Sequence, residues 1–215
     1  MGGIAIPPFL IMIKELDELK NKCNECKSCE LHKTRNNIVF ADGNPETASI
    51  VLIGEAPGEN EDLQGIPFVG RAGKLLNEFL IKAGLSREND LYIINTVKCR
   101  PFIQGNDNKR KDRAPTNEEK EACKHFLIEQ INIINPNLIL LCGRTAMNEF
   151  LTNLKTKDTI TKIRGTIYEI ELNGKKYQAM PIVHPSWLGR QHSTKPDSPR
   201  VFFLQDLKKA RGFIN

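Results

Sequence analysis

No apolar stretch of membrane length stands out in this sequence. IAIPPFLIMI, near the N-terminus, is about half as long as a bilayer-crossing helix and is broken by Pro7 and Pro8, which excludes an anchor there. A basic leader followed by a small-residue cleavage site is missing, so a cytoplasmic protein without membrane contact is expected. Internal repeats and low-complexity segments are absent, which excludes solenoids and compositional linkers. Gly65 to Ala72, GIPFVGRA, has the glycine spacing of a nucleotide-binding loop. Arg71 and Ala72 stand where lysine and a hydroxyl residue would hold phosphate and magnesium, so that chemistry is excluded as well.

What is present describes one folded unit. The chain has 215 residues, enough for one sizeable core and short for two, and a single domain over 1–215 is expected. Apolar residues make up 40% and charged residues 27%, the balance of an ordinary globular protein. A net charge of +5 favours an acidic partner such as nucleic acid without deciding it.

Apolar runs and helix-spaced patterns alternate along the chain, which predicts an α/β fold: a three-layer α/β/α sandwich around a mainly parallel four-stranded sheet. Strands are expected at Val51 to Ile53, Leu91 to Val97, Leu138 to Cys142 and Ala179 to Val183. Helices are expected at Met12 to Lys22, Ala72 to Ala83, Thr116 to Ile134, Arg144 to Leu154 and Arg200 to Phe213. Thr116 and Glu119 have the spacing of a capping box, and Asn173-Gly174 predicts an additional hairpin between Ile167 to Leu172 and Lys175 to Gln178. Phe102 to Pro115 and Gly189 to Pro199 read as irregular loops. Unusual clusters follow each strand: GEAPG, KCRP, CGRT and HPSW. In an open parallel sheet such loops converge on one crevice.

Six cysteines stand at 23, 26, 29, 99, 123 and 142. In a cytosolic chain, Cys-x-x-Cys points to metal or redox chemistry before it points to a disulfide. No strand precedes Cys26 to place it at a helix start, which disfavours a thioredoxin-like pair. Four thiolates drawn from the N-terminal group and from Cys99 and Cys123 are suited to zinc or an iron-sulfur cluster, and spacing does not choose between them. Cys142, closing LILLC, reads as a small core residue.

Taken together, C-x-x-C-x-L-H-x-x-R (Cys26 to Arg35), GEAPGENED, GIPFVGRAG, NTVKCRP, a cysteine within the next helix and HPS resemble the family 4 uracil-DNA glycosylases, in order and over nearly the whole chain. The resemblance implies a [4Fe-4S] cluster, held at Cys26, Cys29, Cys99 and Cys123 by a segment spanning residues 1–35 and the strand-end loops. Cys23 is extra, and a ligand set that uses it in place of Cys26 or Cys29 is conceivable. The implied activity is hydrolysis of the N-glycosidic bond of deoxyuridine in single- or double-stranded DNA, in base excision repair, by a monomer, with a sliding clamp as a candidate partner. Two departures stand out: Phe102 follows KCRP where the family has a second proline, and residues 103–113 form a basic insertion.

The resemblance also assigns roles. The uracil-binding set is Gly54, Glu55, Ala56, Phe68, Asn95 and His184: Phe68 stacks on the base, Asn95 reads its amide edge and His184 bonds O2. From the residues alone, Phe68 could equally plug the core under its loop and Asn95 merely end a strand. Glu55 would order water or face the cationic sugar, and Glu61 would line the pocket near uracil C5. Lys98, Arg100, Arg144 and Arg190 are expected to contact DNA phosphates, and Trp187 or Leu188 to enter the duplex. A cross-linking relative is disfavoured because KRKDR lacks a histidine, and a non-catalytic nucleic-acid-binding module leaves Phe68, Asn95 and His184 without a purpose.

Overall fold

The computed structural model describes residues 7–106, 109–152, 159–188 and 198–214. In chain order they form α1 (Pro8–Asn24), a 3-10 turn (Glu30–Lys33), β1 (Ile50–Gly54), α2 (Glu59–Gln64), α3 (Arg71–Ala83), β2 (Leu91–Asn95), β3 (Phe102–Gln104) and β4 (Arg110–Asp112). There follow α4 (Asn117–Ile134), β5 (Leu138–Cys142), α5 (Arg144–Phe150), α6 (Ile160–Ile163), β6 (Tyr168–Leu172), β7 (Lys175–Ile182), α7 (Pro185–Leu188) and α8 (Pro199–Ala210).

β1, β2 and β5 are buried along their whole length, as strands of a parallel sheet covered on both faces must be. The spatial order is β2-β1-β5-β7-β6, with β1 parallel to β2 and β5, and β5 parallel to β7. Alternate residues of β1 feed the two cores. Ile50 and Leu52 pack with Leu76 and Phe79 of α3 and Phe203 of α8. Val51 and Ile53 pack with Leu127 and Ile131 of α4 and Leu16 of α1. The result is the expected three-layer sandwich.

The expected fourth strand and the second hairpin arm are one continuous strand, β7, so the sheet has five strands, with β6 antiparallel at the edge. The hairpin turns as foreseen, Asn173 and Gly174 taking φ of 50° and 80°. Thr116 caps α4 in a reciprocal box with Glu119. The loop after KCRP is more ordered than expected, since β3 and β4 pair within it. The predicted strand from Leu91 stops at Asn95, and the helix from Arg144 ends at Phe150. The expected loop from Gly189 lies mostly outside the described residues. No helix among the described residues is long and apolar enough to cross a membrane.

Candidate active site

The chain leaves β1 toward β2 on one side, and β5 occupies the other, so the loops at the carboxyl ends of β1 and β5 part and leave a crevice. A cavity of about 600 Å³ opens there, lined by Glu55 to Glu61, Phe68, Asn95, Gly143, Arg144 and His184. All four strand-end clusters except KCRP contribute to its wall, and Asn95 represents the strand that precedes KCRP.

Phe68 and His184 meet in this cavity, with ring centroids 5.9 Å apart and planes inclined by 36°. Asn95 ends β2 with 2% of its surface exposed, in register with Gly54 at the end of β1. A Cβ on Gly54 would lie 2.3 Å from Asn95 Oδ1 and 2.6 Å from the Phe68 ring. Glycine is therefore required for ring and amide to approach one another.

His184 leaves β7 with its ring partly buried. Ser186 N–H donates to Nδ1 at 3.2 Å, and Ser186 Oγ lies 2.8 Å from the same atom. A backbone N–H can only donate, so Nδ1 is the acceptor and Nε2 carries the proton of the neutral ring. Burial pushes the imidazole below its ordinary pKa, against the opposing pull of Glu55 and Glu61. His184 is thus held as a neutral Nε2–H donor.

Glu55 is fixed at both ends. Its carbonyl accepts from Thr96 Oγ1, and its carboxylate Oε2 accepts from Thr145 Oγ1 in the first turn of α5. Thr145 lies within the CGRT cluster but carries no local signal of its role, because a hydroxyl's reach across two strand ends is not visible in sequence. Ala56 lies beside Glu55 in the cavity wall. Glu61 lines the cavity, as expected, and its Oε1 also accepts from Val69 N at 3.0 Å and Gly70 N at 2.8 Å, contacts that staple the Phe68 loop. Asp62 is buried and accepts from Asn36 N at 2.9 Å, a structural tie. Asp112, missed within KRKDR, reaches the cavity from β4.

Three expected DNA contacts are overturned. Lys98 is 1% exposed, and its Nζ donates to Asn95 O at 2.9 Å, so no phosphate can reach it. Arg100 is 4% exposed and bound to Asp112 at 2.6 Å and Glu59 at 3.4 Å, stitching the β3–β4 hairpin to α2. Leu188 is fully buried in the core, because the single turn of α7 folds it inward. Trp187 is half-buried against that core, and Arg144 is exposed at the cavity wall. Arg190 lies outside the described residues.

A second cavity is lined by Cys23, Cys26, Cys29, Cys99 and Cys123, drawn from α1, the turn after it, the segment after β2, and α4. Burial raises the Cys99 thiol to about 11 and the Cys23 thiol to about 12, and raises Cys29 and Cys123. Lys98 borders the group, its ammonium held down to about 8 by burial. Arg35 clasps the turn, donating to Cys26 O at 2.9 Å and Asn24 O at 2.8 Å and reaching Cys99 Sγ at 3.6 Å. No group of three or more His, Cys, Asp or Glu among the described residues is drawn in as a metal site. Thiolate, not thiol, is the form that binds a metal, so a metal centre at this cavity would have to displace these protons, and the buried Lys98 ammonium beside the group would favour the thiolates. Cys142 is buried in the core.

Residues 40–208 match the family model described as Uracil DNA glycosylase superfamily. The chain is 45% identical over 202 residues to a type-4 uracil-DNA glycosylase of Thermotoga maritima, covering 94% of this chain and 96% of that one. It is 45% identical over 176 residues to a type-4 uracil-DNA glycosylase of Archaeoglobus fulgidus, covering 81% and 83%. The fold is similar to the crystal structure of wild-type SMUG2 from Pedobacter heparinus, with a TM-score of 0.53 at 14% identity, covering 92% of this chain and 97% of that one.

Proposed function

The chain belongs to the uracil-DNA glycosylase superfamily and within it to the type-4 uracil-DNA glycosylases, and from that premise we propose how its own residues excise uracil. It is a hydrolytic glycosylase acting on uracil in DNA, in DNA repair. The target nucleotide must leave the stack before its glycosidic bond can be reached. The extruded base stacks on Phe68. The Asn95 amide pairs with the acceptor and N–H donor of uracil and leaves cytosine, with the reversed pattern, mispaired in a buried site. His184 Nε2–H donates to O2, where negative charge collects as the bond between C1′ and N1 breaks. Glu55, held by Thr145, faces the sugar, where it steadies positive charge and orders the water whose oxygen bonds to C1′.

The observation that carries this reading is the convergence of Phe68, Asn95 and His184 on the space kept open by Gly54. Arg144 is the expected phosphate contact that lies exposed at the cavity wall, and Trp187, half-buried against the core, is the candidate wedge. The protein acts as a one-domain monomer.

Cys26, Cys29, Cys99 and Cys123 would hold a [4Fe-4S] cluster, which would supply a cross-link between the N-terminal segment and the strand-end loops. The buried cationic side chain of Lys98 and the guanidinium of Arg35 are suited to an anionic thiolate set, and Arg35 orients the turn that carries Cys26 and Cys29.

Incubating the protein with oligonucleotides that contain one deoxyuridine, single-stranded and duplex, followed by alkaline cleavage, tests the function. Strand breakage at the deoxyuridine is expected. A stable protein-DNA adduct in place of the alkali-labile abasic site would overturn hydrolysis in favour of covalent capture, since uracil leaves C1′ in either case, and neither product would overturn catalysis.

A further inference from the structure

Phe68 owes its position to a residue with no distinguishing signal in the sequence. Arg87, in the connection between α3 and β2, donates through Nη2 to Pro67 O at 2.6 Å and through Nη1 to Phe68 O at 3.1 Å. Nη1 also reaches Asn77 Oδ1 at 2.8 Å, and Nε binds Asp42 Oδ2 at 2.7 Å. On the other side of the same peptide stretch, Glu61 takes the N–H groups of Val69 and Gly70. Two successive carbonyls thus face a cation and the next two N–H groups face an anion.

The grip coincides with a backbone outlier. Phe68 has φ of 53°, a left-handed conformation that costs a non-glycine residue about 1 kcal/mol or more and persists only where the surroundings over-determine it. Gly73 closes in from α3, so near that a Cβ there would lie 1.7 Å from Phe68 O. The anchor for Arg87 is itself fixed: Asp42 exchanges backbone hydrogen bonds with Ile93 at 3.0 and 2.8 Å, two residues before Asn95. The frame that reads the base edge and the loop that stacks on its face are joined through one guanidinium.

We propose that Arg87 is a positioning residue for uracil recognition, holding the Phe68 backbone in its left-handed conformation so that the ring lies across Gly54 toward His184. This rests on the reading that Phe68 stacks on uracil. A simple ion pair with Asp42 does not account for the geometry: the side chains are 15% and 33% exposed, pairs of that kind contribute little, and lysine would serve as well. Two adjacent carbonyls require the planar fork of arginine.

The test compares Arg87→Lys, Phe68→Ala and the double variant by single-turnover excision on a deoxyuridine oligonucleotide and by inhibition with free uracil. Arg87→Lys is expected to weaken uracil inhibition and half-saturation by about tenfold, the scale of one misplaced base–aromatic stack, with the maximal rate changed less. In the Phe68→Ala background the same change adds nothing. Asp42→Asn, which loosens the anchor without touching the loop, shifts the same constants in the same direction by a smaller factor. Unchanged uracil inhibition in both Arg87→Lys and Asp42→Asn overturns the proposal, as does a full multiplicative effect in the Phe68→Ala background. If Phe68→Ala alone leaves uracil inhibition intact, the stacking reading fails, and that result is separate from any result on Arg87.

Discussion

The rings of Phe68 and His184 stand 5.9 Å apart between centroids and are inclined by 36°, with the Asn95 amide beside them. On the proposed reading, a flat pyrimidine in that corner would present its face to Phe68 and its edge to His184. Stacking needs a face and hydrogen bonding an edge, so the proposal gives the two aromatics different work. His184→Gln is expected to lower the maximal excision rate by about a hundredfold, the scale of one donor aimed at developing charge, with a smaller effect on half-saturation. Single-turnover kinetics over a range of enzyme concentration separate the two effects.

His184 also links stability to pH. Burial disfavours its imidazolium in the folded protein, so unfolding takes up a proton below the ordinary imidazole value of 6.5. Stability therefore falls as pH drops through 6.5 and stops falling from this source once the folded form protonates too. His184→Gln is expected to flatten that part of the profile, measured as denaturation midpoints between neutral and mildly acidic pH. An unchanged slope would mean that the ring is not held neutral.

In the proposed mechanism Thr145 acts only through Glu55, whose Oε2 it binds. Thr145→Val keeps the shape and removes the donor, so the carboxylate loses its fixed orientation. A fall of about tenfold in the maximal rate is expected, the cost of one lost hydrogen bond to a charged group, with half-saturation unchanged. Thr145→Ser restores the hydroxyl and should restore most of the rate.

Asn95→Asp replaces a donor-acceptor amide with a carboxylate whose protonated form can match cytosine. Discrimination against cytosine should relax by about a hundredfold or more, read as the ratio of excision rates on paired oligonucleotides. An unchanged ratio would remove Asn95 from base reading.

Much of this arrangement is legible from local pattern. The capping box at Thr116, the turn at Asn173-Gly174 and the loops following apolar strands each follow from a short-range physical rule, and the structure contains them. Burial and reach are not short-range. Lys98 and Arg100 look like phosphate contacts because they are cationic, but the chain turns them inward beside Cys99, where Lys98 finds Asn95 O and Arg100 finds Asp112. Leu188 looks available until α7 coils it beneath His184's strand end. Arg87 and Thr145 are invisible in sequence for the converse reason: each acts on a loop far away along the chain, and only the folded sheet brings them together.

The fifth cysteine gives a prediction about the metal centre. Cys23 lies in α1 and is 1% exposed, packed with Leu19, Phe40 and Phe126, whereas Cys26 and Cys29 sit on the turn that Arg35 clasps. The turn can present two thiolates at once to a centre shared with Cys99 and Cys123, which on the proposed ligand set leaves Cys23 to pack α1 against Phe40 and Phe126. Cys23→Ser is therefore expected to retain visible absorbance and iron content, with stability lowered by about 1–3 kcal/mol if the hydroxyl is left without a partner. Cys26→Ser, Cys29→Ser, Cys99→Ser and Cys123→Ser should each lose iron and absorbance. Loss of iron in Cys23→Ser together with retention in Cys26→Ser would move the ligand onto the helix and exchange the roles of the two thiols.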